Sequence, residues 1–100
     1  MKMLVLVFRY YLDEEMQALL AKLNVKAFSE APRIYGAGEA GIVAETNVRP
    51  GHNACIFAVM PEGQVEPVLA AVREFVRTHR GEHGKQAPLR AFVLPCEQAI

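Results

Sequence analysis

Serine and aspartate are almost absent from this 100-residue chain, with one of each (Ser29 and Asp13), and there are only two cysteines. A serine–histidine–acid relay therefore has no spacing from which it could be built. Glu14 and Glu15 are adjacent on a helix, so their side chains diverge and cannot work as an acid–base pair. No pattern points to catalysis. Neither sign of charge is in excess, with 11 Lys and Arg against 11 Asp and Glu. A nucleic-acid binder would need a basic stripe to release counterions. No apolar run reaches transmembrane length, because Arg9 ends the first one. That run, Met3 to Phe8, is also too short and wrongly flanked for a signal peptide. Cys55 and Cys96 each stand alone in an apolar strand, the pattern of buried thiols in a reducing cytoplasm rather than of a disulfide.

What the chain does have is apolar side chains, 52% of all residues. At this length that is one domain, residues 1–100, whose core is very well filled or which buries a surface in a partner. Lys2 to Arg9 reads as a strand, short and β-branched. Asp13-Glu14-Glu15 places acid where the first turn of a helix favours it. Leu12, Met16, Leu19, Leu20 and Leu23 then form one helical stripe, with Asn24 as the stop. Val25 to Glu30 reads as a weaker strand cut by Pro32. Gly36, Gly38, Gly41, Pro50 and Gly51 mark a long loop. Asn53 to Met60 is a strongly apolar strand, and Pro61-Glu62-Gly63-Gln64 a turn. Val65, Val68, Leu69, Val72, Phe75 and Val76 line a second helix, with Pro67 expected in its first turn, where an N–H lacks a partner anyway. Gly81 and Gly84 break that helix, and Leu89 to Leu94 is the last strand.

The order β-α-β-β-α-β predicts an α+β, ferredoxin-like fold, a four-stranded antiparallel sheet with two helices on one face. The other face then poses a problem. Met3, Val5 and Val7 alternate with Leu4, Leu6 and Phe8. Ala54, Ile56 and Ala58 alternate with Cys55, Phe57 and Val59, and Ala91 and Val93 with Phe92 and Leu94. A sheet with one wet face alternates apolar with polar residues, and these three strands do not. Two helices cover one side only, so self-association in closed symmetry is expected to cover the second.

The final segment, Phe92-Val93-Leu94-Pro95-Cys96-Glu97-Gln98-Ala99-Ile100, resembles the last strand of the PII signal-transduction proteins and its Pro-x-Glu-x-Ala-[Ile/Val] exit. Tyr35-Gly36-Ala37-Gly38-Glu39-Ala40-Gly41 is similar to that family's Gly-x-Gly segment at the base of its signalling loop. Phe57-Ala58-Val59-Met60-Pro61 resembles the strand after that loop, and Gly81-Glu82-His83-Gly84-Lys85 the family's glycine–lysine phosphate loop. The resemblance covers nearly the whole chain in order. It implies a cytoplasmic homotrimer whose sheets face inward. It also implies an adenine nucleotide (ATP, ADP or AMP) held between subunits by Gly36, Gly38, Gly84 and Lys85. Glycines let a backbone approach phosphate with its N–H groups, and lysine adds a mobile positive charge. The segment 36–52 would then dock on a membrane transporter or an enzyme, with no nucleic-acid partner and no membrane insertion. Some family features are missing. The arginine pair that follows the exit is absent, since the chain stops at Ile100. The segment 36–52 is short and lacks the Arg-Gln-Lys-Gly run, and the glutamine used for metal and 2-oxoglutarate has no counterpart. Gln86-Ala87-Pro88-Leu89-Arg90 is an added spacer after Lys85. The expectation is a divergent short form with a small anionic ligand other than 2-oxoglutarate.

His79 and His83 stand four residues apart with Glu82 between them, and His52 precedes Cys55. Imidazoles at that spacing on a helix can bind zinc or copper, which leaves open a metal-binding accessory protein of metal tolerance or efflux, similar to CutA-type trimers. Gly81 between the two is expected to end the helix and spoil that face, so exposed loop positions are the favoured reading, and no metal ligand is assigned. Glu39, Glu45, Thr46 and Asn47 make the central segment polar, as a docking element or a plain connector.

Overall fold

The computed structural model describes residues 1–38, 41–43, 52–79 and 86–100. Strand β1 (Lys2–Arg9) passes through a single 3-10 turn, Tyr10–Leu12, into helix α1 (Asp13–Lys22). Strand β2 (Ser29–Ile34) follows, then two short strands, β3 (Gly36–Gly38) and β4 (Gly41–Val43), then β5 (Asn53–Met60), helix α2 (Glu62–Thr78) and β6 (Leu89–Pro95). The main sheet has the order β2-β5-β1-β6, antiparallel throughout, and β3 pairs with β4 in a separate ribbon. This is the βαββαβ ferredoxin-like arrangement expected from the sequence.

Register assigns the two faces. Leu4, Leu6 and Phe8 stand opposite Ala58, Ile56 and Ala54 on one side and Val93, Ala91 and Leu89 on the other. Residues directly opposite share a face, and this is the face that the helices cover. Leu4, Leu6, Phe8, Ile56, Met16, Leu20 and Val68 are fully buried there, with Val72 and Phe75 of α2 closing the core. The opposite face holds Met3, Val5 and Val7, with Val59, Phe57 and Cys55 on β5 and Leu94 and Phe92 on β6. Phe57, Val5 and Phe92 form one row across three strands. Phe57 is 38% exposed, Val59 45%, Phe92 53% and Leu94 46%. Neither helix reaches this face.

The end of α1 explains where the reading of β2 went astray. Asn24 has φ 63, the left-handed conformation that ends helices. Val25 N–H donates to the Leu20 carbonyl at 2.9 Å and Asn24 N–H to that of Ala21 at 3.0 Å. These are the two bonds of a Schellman cap, and buried Val25 and Leu20 supply its usual apolar contact. Val25 is thus committed to the helix end and not to a strand. The strand runs from Ser29 to Ile34, not from Val25 to Glu30, and passes through Pro32 instead of stopping before it. It can do so because β2 is an edge, where a missing N–H does not break an inner ladder. Ala31 pairs with Cys55 and Ile34 with Asn53, so β2 spends one extra residue in a bulge around Pro32.

Three other boundaries differ. The stretch from Gly36 is not a plain loop, since β3 and β4 pair from Gly36↔Val43 to Gly38↔Gly41. Helix α2 begins at Glu62, so Pro67 stands in its second turn and removes the donor that would have met the Gly63 carbonyl. The helix ends at Thr78, before either glycine, with His79 already extended. Strand β6 reaches Pro95, which stands opposite Lys2.

Glu30 lies on the helix face of β2 and ties it to α1. Gln17 Nε2 donates to Glu30 Oε1 at 3.3 Å and to Asp13 Oδ2 at 3.4 Å. Partial burial pushes the Glu30 carboxyl above its ordinary value of 4.5, and nearby Asp13 adds to the rise while Gln17 opposes it.

Replacing Asn24 by glycine is expected to raise stability by about 0.5–1 kcal/mol, and by valine to lower it by at least that much, in urea unfolding at fixed protein concentration. Glu30 generates a pH test. The folded chain keeps this proton to higher pH than the unfolded chain. Stability from Glu30 is therefore fully present below 4.5 and lost as pH rises through the folded value. Glu30→Gln is expected to be more stable, relative to the parent, near pH 7 than near pH 4; a constant difference in urea midpoint would contradict this.

Candidate functional site

The C-terminal end of β1 is the end of the sheet to which the described segments flanking the expected site lead. Tyr10 N–H donates to the His52 carbonyl at 3.0 Å, which ties the start of β5 to β1. Arg9 N–H donates to the Pro88 carbonyl at 3.2 Å, which ties the approach to β6 to the same place. Ile34 pairs with Asn53, so Tyr35 and Gly36 leave β2 at this end too.

Gly36 opens β3 and Gly38 closes it. A Cβ built on Gly36 would meet nothing within 4 Å. The fold itself thus does not require glycine there, and the backbone at Gly36 is open to approach from outside. Gly84 and Lys85 lie outside the described residues, as do Glu39, Glu45, Thr46, Asn47, Glu82 and His83. Gln86, the first described residue after them, stands beside β6.

Strand order separates the two halves of the expected site. Gly36 follows β2 at one edge of the sheet, and Gln86 precedes β6 at the other, with β5 and β1 between. At 4.7–4.9 Å per strand the two edges stand roughly 14 Å apart. Within one chain, the glycine pair and the segment that follows Lys85 are at the same end of the sheet but on opposite sides.

An aromatic group that the sequence reading missed stands at this end. The Tyr10 ring stacks on His52 at 4.9 Å between centroids, with Tyr11 edge-on to Tyr10 at 5.7 Å and the Arg9 guanidinium 5.9 Å from the Tyr10 ring centre. Tyr10 and Tyr11 are adjacent and His52 is distant in sequence, so only the antiparallel pairing brings them together.

The described histidines, His52 and His79, do not come together in the arrangement that a metal would need. His79 stacks on Phe75 at 3.9 Å, and its Nδ1 lies 3.1 Å from the Phe75 carbonyl. His52 and Cys55 are three apart on or beside one strand, so they fall on opposite faces. Cys55 is buried on the outer face, and that burial pushes its thiol pKa up, away from the thiolate a metal prefers. Among the described residues no group of three His, Cys, Asp or Glu side chains could hold a metal ion. No described helix is long and apolar enough to cross a membrane.

Solved structures of similar fold include CPII, a nitrogen regulatory PII-like protein from Thiomonas intermedia K12. Its complex with ADP, AMP and bicarbonate is similar at 21% identity and a TM-score of 0.68, covering 93% of this chain and 84% of that one. A complex of CPII with ADP and bicarbonate gives 22% identity and 0.67 over the same shares. A third, with ADP, AMP and acetate, gives 22% and 0.62, covering 92% of this chain and 81% of the other. No curated protein matches the sequence. The family described as Nitrogen regulatory protein P-II matches residues 1–100. Through those residues the chain belongs to the P-II family of regulators, which are not enzymes.

Proposed function

We propose that residues 1–100 act as one P-II domain in a cytoplasmic homotrimer that binds an adenine nucleotide or a similar small anion between copies. The observation that carries this reading is the uncovered apolar row of Phe57, Val5 and Phe92 with its neighbours Val59 and Leu94. Monomers rarely expose a continuous patch of this kind. Closing three such faces on each other removes it from water.

Association also answers the separation of the site's halves. Copies set edge to edge bring Gly36 and Gly38 of one chain toward the Gly84–Lys85 segment of the next. The open backbone at Gly36 would meet phosphate, and Lys85 would supply charge. The ADP and AMP in the CPII structures support the nucleotide class. Occupancy would bias the segment 36–52, which docks on a membrane transporter or enzyme. The ligand shifts that equilibrium only as far as it prefers one arrangement over the other.

Sedimentation at micromolar concentration is expected to give three times the chain mass, and Phe92→Asp to give single chains; a monomeric parent would overturn the assembly. Calorimetry with ATP, ADP and AMP should give saturable binding to the parent. Gly36→Ala is expected to keep parental stability within about 0.5 kcal/mol and to weaken the nucleotide about tenfold. Lys85→Ala should weaken it by tenfold or more, the worth of a charge-assisted hydrogen bond. Silence for all three nucleotides removes the ligand class, and unchanged affinity in both variants removes the site.

A further inference from the structure

The helix layer carries a groove of its own, of about 530 Å³, between α1 and α2. Leu19, Leu23 and Phe75 form its apolar floor, and the small side chains Ala18 and Ala71 line it from the two facing helices. No described residue of β2 or β6, the two sheet edges, lines it. α2 turns Ala71 and Thr78 toward this groove, and Arg73 and Val76 toward β6 on its other side. The outer face of Phe57 and Phe92 lies across the sheet. The groove is therefore built from one chain, and the assembly proposed above leaves it open.

Two charges of opposite sign flank that floor. Glu15 and Lys22 line the groove from α1. They are two turns apart on one helix face, about 10 Å along the axis. Both are exposed, and neither makes a hydrogen bond or ion pair with another described residue. Glu74 also lines the groove, but it spends both carboxylate oxygens on Arg77. The groove thus offers one available anion and one available cation, with apolar surface between them.

We infer that this groove docks an amphipathic helix of a partner protein, one that carries an acid and a base two turns apart along its apolar face. The base would meet Glu15 and the acid Lys22, while the apolar residues between them cover Leu19 and Phe75. An extended segment suits the groove poorly. α1 and α2 spend their backbone groups internally, so a strand laid there would leave its own N–H and C=O groups unpaired, whereas a helix satisfies them itself. A purely apolar helix would leave both charges without partners. α1 of another copy carries the same two charges, but its Leu19 and Leu23 are already packed on its own core, so it has little apolar surface to lay in the groove. The site shares no residue with the nucleotide reading and does not rest on it.

The probe is a capped helical peptide of about four turns, with leucines along one face and a glutamate and a lysine two turns apart on that face. Titrated against the isotope-labelled full chain and followed by backbone amide NMR, it is expected to give saturable shifts at Ala18, Leu19, Ala71 and Thr78. Peptides with two lysines or two glutamates at those positions should bind about threefold more weakly or worse, the scale of an exposed ion pair. In Lys22→Glu the two-lysine peptide should become the tightest of the three, and in Glu15→Lys the two-glutamate peptide. Equal affinity of all three peptides for the parent would overturn the site, as would an unchanged order in both variants. Shifts confined to Phe57, Val59, Phe92 and Leu94 would report adsorption on the outer face and overturn it as well. If 8-aminooctanoate bound as tightly as the mixed peptide, the groove would belong to a small zwitterion and not to a helix. Growth of the assembly with concentration that Lys22→Glu abolishes would give the groove to another copy of the chain and overturn the partner helix.

Discussion

Between Lys2 and Arg9 the inner strand β1 has no polar side. Leu4, Leu6 and Phe8 bind the two helices to the sheet, and Met3, Val5 and Val7 press the same strand outward against Phe57 and Phe92. The first set makes the fold. The second leaves an apolar face in water, because burying one face of a two-faced strand leaves the other uncovered. The proposed site follows from this constraint, since covering that face with further copies would bring opposite sheet edges of neighbouring chains together.

Much of this was legible from side-chain parity. Period-2 alternation in Met3–Phe8, Ala54–Val59 and Ala91–Leu94 assigned each residue to the face on which the register places it. Asn24 was legible as a stop because few residues other than glycine adopt positive φ at low cost. Val25 was not legible as part of the helix end, since an apolar residue after a stop looks like the start of a strand. Only the bond to Leu20 shows that its burial belongs to α1. Pro32 misled in the same way. Its cost depends on whether the strand is an edge, and strand order is a property of the whole chain. The β3–β4 ribbon escaped notice because Gly36, Gly38 and Gly41 carry no side-chain pattern to read.

The candidate site was legible in parts and not as an arrangement. Gly36 and Gly38 could be picked out by type, and Gly36 stands at the end of the sheet where β1 finishes, with open space beside it. That the segment following Lys85 lies across two intervening strands could not be read locally. The ring cluster of Tyr10 and His52 was invisible for the same reason, since it is made by antiparallel pairing of distant segments. The histidine spacing is a weaker guide still. His79 and His83, four apart, would share a helix face if the helix ran on, but it ends before His79 and that ring packs on Phe75.

The bulge around Pro32 has a consequence for how copies can add to one another. An unprotected sheet edge is a template for endless strand addition. Here one edge, β6, offers a regular run, while the other is interrupted by a residue that cannot donate and by a local change of twist. A ladder started at the smooth margin finds no equally smooth margin on which to continue. An interrupted edge of this kind works against open-ended strand addition and is compatible with the closed assembly proposed above.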